Sequence, residues 1–148
     1  MQYLAQQVTS FLDTNLTDTY SDWSSSTTYS FESGTPTNAS VARYETYYYR
    51  SVVNSNLNNN PITTENIKWT KYGVSNKFAM LDLASNTKSI YNAGNLYVTF
   101  LQNQINTLTI GNYEAETITV QILTESNSVV WEYTTDSSTN DLVEDYWT

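Results

Sequence analysis

The sequence predicts a mainly β protein: a short N-terminal helix, a small β module, then an antiparallel β-sandwich or jelly-roll-like domain with too few strands to close. Three observations carry that expectation. Apolar and polar residues alternate with period two in several short runs, as in half-buried strands. Aromatic residues make up 14% of the 148 positions, with 13 Tyr and 4 Trp, and such side chains suit a pleated surface. Charged residues are only 14%, while Ser, Thr and Asn are abundant, a profile of β-rich chains with polar faces.

Taken in order, residues 1–12 place Leu4, Val8, Phe11 and Leu12 at i, i+4, i+7 and i+8, which predicts a helix with one apolar stripe. A helix of this length is marginal alone, so the stripe must dock, either on its own domain or on a neighbouring subunit. Residues 13–27 are polar, broken only by Leu16, Tyr20 and Trp23, and read as a linker or surface loop. Strands follow over 40–44 and 46–53. Asn54 to Pro61 reads as a turn, because Asn tolerates left-handed dihedrals and the residue before Pro avoids the helical region. So small a unit needs an aromatic core, and Trp23, Tyr29, Tyr48 and Trp69 are the candidates.

Beyond it, Leu96, Val98 and Phe100 alternate with polar or aromatic neighbours. Ile105, Leu108 and Ile110 mark a second strand, Ile118, Val120 and Ile122 a third, and Ser128 to Thr134 a fourth. Strands of this spacing with one apolar face predict a sandwich or jelly roll. Asn140 to Trp147 reads as the start of a helix, with Asn140 or Asp141 as N-cap. Four strands are few for a closed sandwich. Either the chain is a fragment or another subunit completes its edges, since an unpaired edge is a template for strand addition.

The formal net charge is −9 and the six basic residues are scattered. Nucleic-acid binding needs a basic footprint to replace phosphate counterions, so none is expected. No run of about 18 apolar residues suggests a membrane span, and the N-terminus lacks the layout of a secretion signal, which predicts assembly in the host cytoplasm. The chain has no Cys and no His, so triads and His or Cys metal sites are excluded. Carboxylate pairs remain, Glu114 with Glu116 or Asp141 with Glu144 and Asp145, but their positions in a turn and at a helix start suit solvation better. No Ca²⁺ loop of the D-x-[DN]-x-[DN]-G type occurs. The expectation is a non-enzyme without cofactors.

Trp69 to Asp82 reads WTKYGVSNKFAMLD, a packed junction between two β units. With its Trp, its Gly and an Asn-Lys-aromatic-Ala-Met-hydrophobic-Asp string, it resembles a recurring segment of tailed-bacteriophage virion proteins. Upstream, Trp23, Thr28-Tyr29, Tyr48-Tyr49-Arg50-Ser51, an Asn-rich turn, Pro61 and Trp69 follow the order of small chitin-binding-type carbohydrate-binding modules. In this chain Phe31 to Asn38 lengthens the turn after Tyr29. The resemblance covers roughly residues 20 to 85. It implies an N-terminal helix and linker over 1–19, a carbohydrate-binding-module-like unit over 20–72 and a sandwich-like domain over 73–148. It also implies a structural protein of a phage neck, tail or adaptor ring, partnered by other virion proteins and by copies of itself, or alternatively a module that attaches to host glycans.

Two sets of site residues follow. Tyr47, Tyr49 and Trp69 could stack on a pyranose ring, or fill the core of the small unit. On a strand Tyr48 points away from Tyr47 and Tyr49, so only one set is expected in the core, leaving the other as an exposed aromatic surface. Leu4, Val8, Phe11 and Leu12 are the expected inter-subunit stripe. In the junction, Asp82 is expected to pair with Lys77 or cap backbone N–H groups, while Phe78 and Met80 turn into the core.

Overall fold

The computed structural model describes residues 11–81, 87–101, 110 and 114–136. The chain divides into two units, residues 1–107 and 108–148. The described residues are mainly β, in several small antiparallel sheets.

In the first unit the described strands are β1 (Asp13–Thr14), β2 (Thr28–Tyr29), β3 (Val41–Tyr44), β4 (Tyr47–Ser51), β5 (Asn56–Leu57), β6 (Trp69–Val74) and β7 (Val98–Thr99). β3, β4 and β6 form an antiparallel sheet with β4 in the middle, β2 pairs with β5, and β1 pairs with β7. Ala42 lies opposite Tyr49, and Tyr44 opposite Tyr47. This face packs with Tyr29, Trp69 and Trp23 into an aromatic core. Tyr29 meets Trp69 edge to face at 4.9 Å, and Trp23 meets Tyr44 at 5.6 Å. Such pairs add about 0.5 to 1.5 kcal/mol beyond the area they bury.

The opposite face carries Arg43 beside Tyr48 and Val41 beside Arg50. It is covered too. Tyr20 packs edge to face on Tyr48 at 5.1 Å and on Tyr72 at 6.2 Å, and Leu16 is buried. The polar stretch 13–27 is therefore a structural cover for the sheet, not a free linker. Between Tyr48 and Tyr49 the ladder slips so that Tyr72 of β6 has no opposite number, a bulge of the kind that bends a strand locally.

The second unit contains β8 (Thr117–Leu123) and β9 (Val129–Asp136), paired antiparallel through a turn in which Asn127 takes φ 60°. In place of a larger sandwich sheet, the described part of this unit is one two-stranded ribbon. The boundary expected between residues 72 and 73 falls inside β6, so the junction segment belongs wholly to the first unit. The strand expected over 96–100 shrinks to β7, which pairs with the N-terminal residues. The expected helix over 1–12 lies outside the described residues except for Phe11 and Leu12. Those two precede β1 without helical structure, and the Leu12 N–H donates to the Thr99 carbonyl at 2.7 Å. The second strand, apart from Ile110, and the helix from Asn140 lie outside the described residues.

Candidate functional site

Trp69 is fully buried and Tyr49 is 3% exposed. The Trp69 indole N–H donates to the Asn59 carbonyl at 2.9 Å, so its polar handle is also used internally. Tyr47 is half-buried, packs against the same cluster, and carries the Lys71 ammonium 4.0 Å above its ring. The three residues proposed as a sugar platform are thus brought together, but as core. No ring face of Trp69 or Tyr49 is open to a pyranose.

Tyr48 also departs from expectation. It sits on the other face, as strand geometry requires, yet it is only 7% exposed, because residues 16–20 close over it. Its hydroxyl donates to Asp18 Oδ1 at 3.0 Å and accepts from the Thr19 N–H at 2.9 Å. Burial is the largest influence on this hydroxyl and holds its pKa above the usual tyrosine value, as it does for Tyr49. Asp18 also accepts from the Lys77 N–H at 3.2 Å and pairs with Arg43 at 3.0 Å, while Asp22 pairs with the same guanidinium at 2.5 Å. Sequence reasoning assigned no role to Asp18. A carboxylate inside a polar stretch reads as solvated until its neighbours are known.

The junction is locked by other residues than those expected. Asp82 lies outside the described residues. Asn76 does the work instead: its Nδ2 donates to the Thr17 carbonyl at 3.0 Å and the Ile90 carbonyl at 2.9 Å, and its Oδ1 accepts from the Ile90 N–H at 2.8 Å. Residues 79–81 form a 3-10 turn in which Ala79 is buried and Met80 is 41% exposed. The expected inward alternation of Phe78 and Met80 fails because the chain leaves strand geometry after Val74.

Of the N-terminal stripe, Leu4 and Val8 lie outside the described residues. Phe11 stacks on Phe78 with ring centroids 5.3 Å apart, so it docks on its own unit. Asn15 fixes the segment further, its Nδ2 donating to the Asn95 carbonyl at 2.6 Å and its Oδ1 accepting from the Tyr97 N–H at 3.0 Å. Leu12 remains 67% exposed. A shallow open groove lies beside it, lined by Phe11, Leu12, Thr14, Arg43, Lys77 and Phe78 with Asp13. It holds one carboxylate and no second acid opposite it.

The loop 31–38 is built around Glu32. Its carboxylate accepts from Ser40 Oγ at 2.7 Å and from the Thr37 hydroxyl and N–H, and these donors, Ser40 foremost, pull its pKa down. Arg50 donates to the Glu32 carbonyl and lies 5.9 Å from the Phe31 ring. This is loop architecture. Among the described residues no three Asp or Glu side chains gather in a group able to hold a metal, and no helix is long and apolar enough to cross a membrane.

The surface that stands out is the β8–β9 ribbon. Residues paired across it share a face, so Ile118, Val120 and Ile122 lie with Thr135, Tyr133 and Trp131. The other face holds Thr119 bonded to Thr134 at 3.0 Å and Gln121 donating to Glu132 at 2.6 Å. On the apolar face Ile122 is 53%, Trp131 49% and Tyr133 54% exposed, and the two aromatic rings lie 12° from parallel. Charge divides along the chain in the same sense. All six Lys and Arg fall within residues 1–107, beside seven acidic residues, whereas residues 108–148 hold the other eight acidic residues and no basic one. The basic residues are scattered only within the first unit. Comparison with known protein families, with curated proteins and with solved structures finds no match for this chain.

Proposed function

We propose that this chain is a non-enzymatic structural component of a tailed-phage particle, assembled in the host cytoplasm into a neck, tail or adaptor ring through repeated protein–protein contacts. The observation that carries the reading is the amphipathic β8–β9 ribbon. An isolated two-stranded sheet is marginal in water, and this one presents Ile122, Trp131 and Tyr133 to solvent. Such a face is stabilised by burial against something, at about 25 cal/mol per Å² of apolar area covered. A neighbouring subunit supplies that cover. The likeness of residues 69–82 to a segment of virion proteins supports the particle as the setting.

A glycan-binding role has less support, because Tyr49 and Trp69 are enclosed in the core. The reading is tested by negative-stain imaging and sedimentation of the purified full chain. Rings or filaments are expected. A monodisperse monomer at high concentration, together with glycan-array signal, would overturn it in favour of the attachment module.

A further inference from the structure

We infer that the particle contact is head to tail: the apolar face of β8–β9 in one copy docks on the segment Ile62 to Lys71 of the first unit in the next copy. The inference rests on the structural role proposed above and specifies the interface that role uses.

Charge chooses the partner surface. The second unit carries eight acids and no base, a formal charge of −8, and the first unit carries −1. Two ribbons packed face to face would bring −8 against −8, and like charges juxtaposed at an interface oppose association. Packing a ribbon on the first unit brings it instead against the half of the molecule that holds every Lys and Arg. Within that half, the stretch from Ile62 to Lys71 joins apolar exposure to two lysines with one acid, Glu65, between. Ile62 is 45% and Ile67 67% exposed, Lys68 and Lys71 follow in the chain, and Lys71 lies on the Tyr49 face of the sheet, over Tyr47. The stretch runs into β6, the outer strand of the order β3-β4-β6, whose first residue is already bridged to Glu65, so the neighbour's ribbon docks through side chains on an apolar surface.

A contact between two different patches is heterologous, and repeated heterologous contacts close into rings or extend as filaments. An isologous contact would stop at a dimer. The charge division therefore bears on the form of the assembly as well as its affinity.

The test uses two full-length variants, each breaking one side. Trp131→Ser damages the ribbon, and the double variant Lys68→Glu/Lys71→Glu damages the receiving surface. Each, confirmed folded by circular dichroism, is expected to be monomeric by sedimentation velocity, with self-association weakened roughly tenfold or more, as for an interface anchor. Mixed one to one, they should form a dimer that grows no further, because one intact ribbon meets one intact receiving surface. Raising salt should weaken that dimer, since screening removes the charge complementarity. Tyr133→Ser replaces Trp131→Ser should the latter misfold. If the lysine variant still self-associates while the ribbon variant does not, and mixing restores nothing, ribbons pair with ribbons and the inference is overturned although the structural role stands. A wild-type chain that stays monomeric at every concentration overturns both, whether its ribbon is covered within its own chain or binds only another protein.

Discussion

The sheet β3-β4-β6 and the ribbon β8–β9 are both short antiparallel strands rich in bulky residues with aromatics among them, yet one is interior and the other is surface. In the first unit, residues 16–20 lie over one face and Trp23, Tyr29 and Trp69 fill the other, so Tyr48 and Tyr49 are both buried although they point opposite ways. In the ribbon one face is polar and the other ends in Ile122, Trp131 and Tyr133 at about half exposure. Alternation states which residues share a face. Whether that face is covered depends on what else the chain lays upon it.

The comparison breaks most sharply at its two tryptophans. Trp69→Ala is expected to cost about 3 to 5 kcal/mol, the range for truncating a large buried aromatic, with the Asn59 carbonyl left without its donor besides. Chemical denaturation of the full chain measures it, and a midpoint unchanged within error would mean that Trp69 is not the keystone of the aromatic core.

Next in size is the cover over Tyr48. Asp18→Ala removes the acceptor shared by Tyr48, Lys77 and Arg43, and up to about 3 kcal/mol is expected, below the full cost of breaking a buried ion pair because Arg43 keeps Asp22. Native-state hydrogen exchange should show the loss in β4 and not in β8–β9. Equal loosening of both would argue that the two units are not energetically distinct.

Alkaline pH probes the same cover. Burial raises the pKa of Tyr48 and Tyr49 above their ordinary value of 10.0. Below that value both folded and unfolded chains keep the protons and the full stability is present. As pH rises past it the unfolded chain ionises first, so stability is lost up to and through the folded-state pKa. The thermal midpoint should hold to about pH 9 and fall beyond it, and the part of the tyrosinate absorbance that Tyr48→Phe and Tyr49→Phe remove should rise in step with unfolding, after the exposed tyrosines such as Tyr72 and Tyr133 have ionised. That part rising before any unfolding would show that the cover opens locally.

The smallest expected change is the control. Trp131→Ala should alter the unfolding free energy of the isolated chain by no more than about 0.5 kcal/mol, as for surface substitutions, while weakening assembly. A loss of stability approaching that of Trp69→Ala would place Trp131 in a core and remove the contrast.

Much of the small unit was legible in the residues. Val41–Tyr44 and Tyr47–Ser51 carry β-branched and aromatic residues between turn signals, and β8 and β9 emerge within a few residues of where Ile118, Val120 and Ile122 and the Asn127 turn place them. Of the aromatic core expected, Trp23, Tyr29 and Trp69 stand in one cluster, while Tyr49 takes the place expected for Tyr48, which is buried on the other face. Three things escaped. The stretch 13–27 has the composition of a linker, and its role as cover depends on Asp18 and Tyr20 meeting partners 25 or more residues away. The boundary at 72 came from the resemblance and not from the residues themselves, and Gly73 is paired within β6, in the first unit. The exposed ribbon was missed although its signal lay in the charge order, with no Lys or Arg after Lys88.

What the sequence by itself determined is the class of structure and the excluded chemistry. Period-two patterning with aromatics commits these segments to strands, and the lack of His and Cys rules out Ser-His-Asp and Cys-His arrangements and thiolate or imidazole metal sites whatever the fold. What only the tertiary structure decided is which faces are covered. Local alternation costs no long-range information, but burial of Tyr48 under residues 16–20, or exposure of Trp131 at 49%, is a fact about distant segments meeting or failing to meet, and no local pattern encodes it.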